Sequence, residues 1–329
     1  MTESIEKSGL ICAYQFDGSG SYTELAEEAF ETPSPSHGFL WLHLSREAQG
    51  VGTWLNERSG IESRFVATLL AEDTRPRCTV CDEGILLNLR GVNLNPGAAP
   101  KDMVSVRLWV EKHRVISDRR LRLMAIQDIR DAMSTGERIE SPGDLIAHLC
   151  RNLLDRMEAV VIDLADRVDE LEESVLTTQS DKVRVELGSI RHRAVLLRRY
   201  VAPQRDAIEQ LANLQIEYLG PGSRNLLMEA ANRVTRYAEE LDSIRDGCGL
   251  VQDDLETRLN FQINRTIYHL SVVAGIFLPL ALLRVFSVSM SAEFLAKKKW
   301  RFWLVCGALA LVAVFEIWFF PSPQMVVGQ

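Results

Sequence analysis

Ile263–Leu283 reads INRTIYHLSVVAGIFLPLALL, and the reading of this run decides the fold. It begins in the register of a helical seam and ends in Leu270–Leu283, 14 residues without a charge. That is short of the roughly 20 residues a helix needs to cross a bilayer. Tyr268 and His269 before it and the apolar residues after Arg284 extend it. The run is expected to be a first membrane span.

The seam that leads into it starts far upstream. Leu227, Ala230, Val234, Tyr237, Leu241, Ile244, Cys248, Val251 and Leu255 keep an unbroken alternation of three and four, the mark of a coiled-coil stripe. No stop signal precedes Leu259, Ile263 and Ile267. A stalk helix over 223–286 is therefore predicted to pass directly into the membrane. After a loop at 287–301, Phe302–Phe320 offers 19 residues with one charge, Glu316, and aromatics at both ends. This is the pattern of a second span, 302–320, followed by a tail at 321–329.

Residues 141–222 read as two long antiparallel helices. Ser141 is a candidate N-cap with Pro142 in the first turn, and Leu149, Leu153, Met157, Val160, Leu164, Val168, Leu171 and Val175 repeat at helical spacing. Pro203 is a candidate kink in the second helix. Residues 1–140 alternate strand signals with turns, as in LICAYQF, GFLWLHL and VSVRLWVEKHRVISD, with short helices around Val51–Glu57 and Ser63–Glu72. A mostly antiparallel sheet carrying helices is expected. The fold class is thus an α+β cytoplasmic domain, long helices forming a funnel, and two C-terminal transmembrane helices.

Composition excludes several functions. The net charge is −8, and no Lys/Arg-rich arm precedes Lys297, so nucleic acid is not an expected partner. The N-terminal MTESIEKSGLICAYQFDG has no basic segment followed by an apolar one, so no cleaved signal is expected. Six scattered cysteines suit a reducing compartment. Cys78 and Cys81 form a lone CxxC pair, which reads as strand and turn residues rather than a zinc site. His148 and Cys150 diverge by about 200° on a helix and make a poor metal pair. His192 and His269 are isolated. No phosphate loop, Ser-His-Asp set or paired carboxylates in a cleft occur, and the chain is not expected to be an enzyme.

WLHL at Trp41–Leu44, EDTRPRC at Glu72–Cys78, LRGVNLNPGA at Leu89–Ala98, RLWVEKHRVIS at Arg107–Ser117 and SVVAGIFLPL at Ser271–Leu280 together resemble the CorA-type metal-ion transporters, within them the zinc transport protein (ZntB) branch. The resemblance covers nearly the whole chain. It implies a homopentamer in the inner (plasma) membrane, both termini cytoplasmic, with the first span lining an axial pore for divalent metal cations. The partners it implies are copies of the chain itself, the lipid bilayer and the metal. Zinc is the cargo that the branch implies, and no cofactor is expected. A magnesium or cobalt channel of the same fold is the alternative, and a membrane-anchored coiled-coil sensor without a pore is a second.

On this reading Asn264, Ile267, Ser271, Ala274, Leu278 and Ala281 share one helical face toward the pore, with Leu270 adjoining it. Asn264 supplies an amide ring, while Ile267 and Leu278 supply apolar constrictions. The acidic run Asp163–Glu173 either concentrates cations or is a solvated face.

The family's Gly-x-Asn signature, which follows the span's proline by about nine residues, is absent. Ser287, Val288, Ser289 and Met290 occupy the selectivity-loop positions. Lys297, Lys298, Lys299 and Arg301 then lie outside and PSPQMVVGQ inside, an inversion of the positive-inside rule. Codons permitted for Arg284–Arg301, read one base upstream, spell GVLGVNVGGIPGEEEVA. Those for Pro321–Gly328, read one base the other way, spell RRRKWL and a stop. Both restore the expected charge asymmetry. The hypothesis is that 284–301 and 321–329 are out-of-frame text.

Overall fold

The computed structural model describes residues 9–72, 75–99, 102–174 and 180–289, with 303, 307, 310, 311 and 314; for 180, 279, 280 and 282–289 it describes the backbone alone. The chain divides into two compact units, Met1–Gln252 and Asp253–Gln329.

The first unit is built on a sheet of seven strands: β1 (Leu10–Phe16), β2 (Tyr22–Leu25), β3 (Phe39–Ser45), β4 (Arg77–Val80), β5 (Ile85–Gly91), β6 (Val104–Val110) and β7 (Arg114–Arg119), in the order β2-β1-β3-β7-β6-β5-β4. All neighbours are antiparallel except β3 and β7, which run parallel. That parallel pair sits at the middle of the sheet. It explains why FLWLHLS in β3 lacks alternation, since a strand covered on both faces reads as continuously apolar. Gly38, at φ 73°, enters β3 where a Cβ would strike the Phe16 carbonyl, so only glycine fits there.

Two short helices, α1 (Gln49–Glu57) and α2 (Ser63–Leu70), cover one face. Their core joins Leu40, Leu42 and Leu44 of β3 to Val51, Leu55 and Val66. On the chain beyond the sheet come α3 (Met124–Ser134), α4 (Pro142–Ser174) and α5 (Ser180–Ala212). Both α4 and α5 pack along β5, and α5 also along β4. The periodicity did not mark α3. It is held by Arg156 of α4, whose guanidinium donates to both oxygens of Asp128 at 2.5–2.6 Å.

The start of α4 has the local chemistry expected of it. Asp144 N–H donates to Ser141 Oγ at 3.2 Å, and Ser141 N–H donates back to Asp144 Oδ2 at 3.1 Å, a capping box. Helix α5 continues through Pro203. The last described helix, α6, spans Pro221–Ser289, 69 residues. It begins two residues before Ser223, because Pro221 suits a first turn and Arg224 N–H already bonds the Gly220 carbonyl at 3.0 Å. It also runs past 286, so Ser287, Val288 and Ser289 lie in helical backbone rather than in a loop. Met290, the rest of 287–301 and the tail 321–329 lie outside the described residues. So does nearly all of the expected second span, 302–320. Among the described residues no helix is long and apolar enough to cross a membrane.

Candidate functional site

The seam of α6 is where sequence and structure meet most closely. Leu227, Ala230, Val234, Tyr237, Leu241, Ile244, Cys248, Val251 and Leu255 are all buried. Burial then stops while the apolar pattern continues. Leu255 is 5% exposed, whereas Ile263 is 54% and Ile267 55% exposed. A helix that keeps its hydrophobic residues after losing its cover calls for cover from outside the described residues.

Along this segment the expected pore residues Asn264, Ile267, Leu270, Ala274, Leu278 and Ala281 are exposed and Ser271 is half-buried. They fall within one arc of the helix at 100° per residue. Exposure alone does not single out that arc: Ile276, on the opposite side, is 51% exposed against 66% for Leu278. Among the described residues the half-buried ones of this stretch, Tyr268, Ser271, Val272 and Gly275, lie on one side of the helix. The face toward an axis is set by what packs on the other faces.

Just before the apolar run stand Asp253, Asp254 and Glu256, all exposed, with Arg258 paired to Asp254 at 2.7 Å. No carboxylate follows before Leu283, and the polar groups that remain are amides, hydroxyls, Arg265 and His269. These are hard or neutral donors without thiolates. They suit an ion that keeps part of its water rather than one stripped into a soft cage.

The other candidate ligands do not assemble. Among the described residues no three His, Cys, Asp or Glu side chains come together for a metal. Cys78 is buried in β4, and burial pushes its thiol up to about 12. Cys81 lies past the strand end, where its Sγ–H donates to the Gly84 carbonyl at 2.8 Å across a hairpin turn. His148 pairs with Glu137 at 2.9 Å, and Cys150 is buried away from it. Asp163, Asp166, Asp169, Glu170, Glu172 and Glu173 are all exposed.

Two buried polar groups were not foreseen. Trp41 Nε1–H donates to Ser117 Oγ at 2.8 Å, and His43 Nδ1 lies 2.8 Å from the same oxygen. The network closes if Ser117 donates to the Leu42 carbonyl at 3.3 Å and accepts from both rings. His43 Nε2 is then a bare lone pair, and it has no partner among the described residues. Burial, with Arg119 and Arg130 nearby, holds the His43 pKa down to about 3. The imidazole is a neutral structural group.

On the opposite face Asp118 pairs in register with Arg107 and lies 3.7 Å from Arg46. Both guanidiniums reach the end of α2. Arg107 donates to the Leu69 carbonyl, and Arg46 to those of Leu69 and Ala71 at 3.3 and 3.2 Å. Two cations thus cap a helix C-terminus, where the dipole favours them. Burial lifts the Asp118 carboxyl to about 7 against their pull. The alternation of strand residues could have marked Arg107 and Asp118 as core-facing, but not as partners, since their pairing depends on register.

The family model described as CorA-like Mg2+ transporter protein matches residues 36–321. The divalent cation transporter CmaX of Pseudomonas aeruginosa is 33% identical over 325 residues, 97% of each chain. The zinc transport protein ZntB of Pectobacterium atrosepticum is 29% identical over 318 residues, 96% of each chain. The structure of full-length CmaX superposes with a TM-score of 0.83 at 32% identity, covering 95% of this chain and 97% of that one. The complete structure of the CorA magnesium transporter from Methanocaldococcus jannaschii gives 0.74 at 17% identity, over 94% and 97% of the two chains, which shows the fold alone.

Proposed function

The chain belongs to the family of CorA-like Mg2+ transporter proteins, ion transporters rather than enzymes, and from that premise we propose that it passes divalent metal cations through a pore on the axis of a homopentamer. The observation that carries this reading is the loss of cover along α6 after Leu255 while the helix stays apolar. Each large apolar side chain left in water forgoes about 1.5–3 kcal/mol of burial free energy. Neighbouring copies and lipid supply that cover.

Cyclic symmetry turns each side chain facing the axis into a ring. Asn264 forms a ring of amides at the cytoplasmic entrance. Ile267, Leu270 and Leu278 form apolar constrictions that dry out and close, and Ser271, Ala274 and Ala281 leave the bore wider between them. Asp253, Asp254 and Glu256 raise the local cation concentration below that entrance. With the stalk helix of 223–286 running into a first span and 302–320 as a second, the proposed pore lies in the inner membrane and both termini are cytoplasmic.

Zinc is the proposed cargo, supported by relatives named as zinc transport proteins. Magnesium or cobalt is the competing reading, and the description of the family supports magnesium. Flux of radiolabelled zinc and magnesium into liposomes, with and without a pH gradient, tests both. Zinc uptake that excess magnesium does not suppress is expected. Uptake of neither metal by a pentamer of verified mass would refute the transport reading.

A further inference from the structure

Two helices of the first unit carry opposite charge on faces that their own subunit leaves open. Residues 159–174 of α4 hold six carboxylates and one arginine, and residues 182–199 of α5 hold six lysines and arginines and one carboxylate. The buried seams set the orientation: Val161, Leu164, Val168 and Leu171 point inward from α4, as do Val183, Leu187, Ile190 and Ala194 from α5. At 100° per residue, Ile162, Asp166, Asp169 and Glu173 then face outward from α4. Val185, His192, Val195 and Arg199 face outward from α5. All eight are exposed.

Among the described residues, Arg167 of α4 and Glu186 of α5 pair at 3.5 Å, in the reverse polarity. Among the described residues Asp166, Asp169, Glu170 and Glu173 have no ion-pair partner. Carboxylates stacked three and four apart repel one another along a helix, a cost that an opposed basic surface offsets. An exposed Ile162 amid the acids, and Val185 and Val195 amid the bases, give each face an apolar centre within a charged rim.

Complementary faces on two helices can pair reciprocally across a two-fold axis or head to tail. In the cyclic assembly above the contact is head to tail, each acidic face meeting the basic face of the next copy until the ring closes. We propose that the acidic face of α4 docks on the basic face of α5 in a neighbouring copy of this chain. The proposal rests on the cyclic assembly above and adds to it the surface by which the cytoplasmic parts recognise each other.

The test uses full-length chains in detergent. Chains carrying Ile162→Cys and chains carrying Val195→Cys, each with its own tag, are co-expressed and mildly oxidised. A disulfide between the two tagged chains is expected, lost when either cysteine is omitted. Reversing charge with Asp166→Arg and Glu170→Arg should weaken association by about tenfold or more, as like charges then meet. Adding His192→Glu and Arg199→Glu to the same chain should restore it. A pentamer without the cross-link and indifferent to charge reversal overturns the contact and leaves the ring standing. A chain that is monomeric by light scattering overturns both.

Discussion

His43 and Asp118 sit in neighbouring strands, and their titrations pull stability in opposite directions. Folded His43 stays neutral down to about pH 3, whereas its ordinary value is 6.5. Its contribution is therefore present above 6.5 and lost as pH falls toward 3. Folded Asp118 holds its proton up to about pH 7, against an ordinary value of 3.8. Its contribution is present below that ordinary value and lost as pH rises through 7. His43→Asn should lower the melting temperature at pH 7 yet flatten the fall between pH 6.5 and 4. Asp118→Asn should remove the decline between pH 4 and 7. Thermal unfolding of the full chain in detergent across this range checks both, and curves parallel to the parent would contradict the assignments. At the same scale, sequencing the gene across the codons for Arg284–Arg301 should reveal a displaced base; an intact frame encoding RVFSVSMSAEF would end that hypothesis.

Helix α6 has one apolar pattern and two environments. Leu241 lies in the part buried within the subunit, and Ile263 lies in the part left open. Leu241→Ala removes packed atoms and should cost about 2–5 kcal/mol of stability. Ile263→Ala should leave the first unit intact and instead reduce the pentamer fraction in light scattering. Equal effects of the two on unfolding would mean that the helix is covered uniformly. For α4, Asp144→Ala removes half of the capping box and the acceptor of Ser223 Oγ at 2.5 Å, a loss of about 1–2 kcal/mol in denaturant melts. Elements of this kind were legible in the sequence because helical periodicity and caps are local. The seam from Leu227 to Leu255 was read residue by residue. Helix α3 was not, because it is held by Asp128–Arg156 and Tyr14–Arg130 contacts across long stretches of chain.

For the whole molecule, the proposed pore requires a cation to be held near the C-terminal end of α6. Serine hydroxyls and helical carbonyls are poorer hosts for a hydrated divalent ion than an amide-bearing turn. A chain in which 284–301 is replaced by the string read in the shifted frame should carry zinc at least about tenfold faster in liposomes than the chain as written. Equal flux would show that Ser287 and Ser289 suffice. Ile267→Asn should raise basal flux in either background, because a polar ring keeps the constriction wet. Unchanged flux would place Ile267 away from the axis.

The sequence by itself determined the long helices and the α6 seam, since each is written in spacing, caps and residue type. Only the tertiary structure decided the parallel β3–β7 pairing, the burial of His43 and Asp118, and the residue at which α6 loses its cover. These depend on strand register and on which distant surfaces meet. An apolar stripe looks the same in one dimension whether a partner lies over it or not.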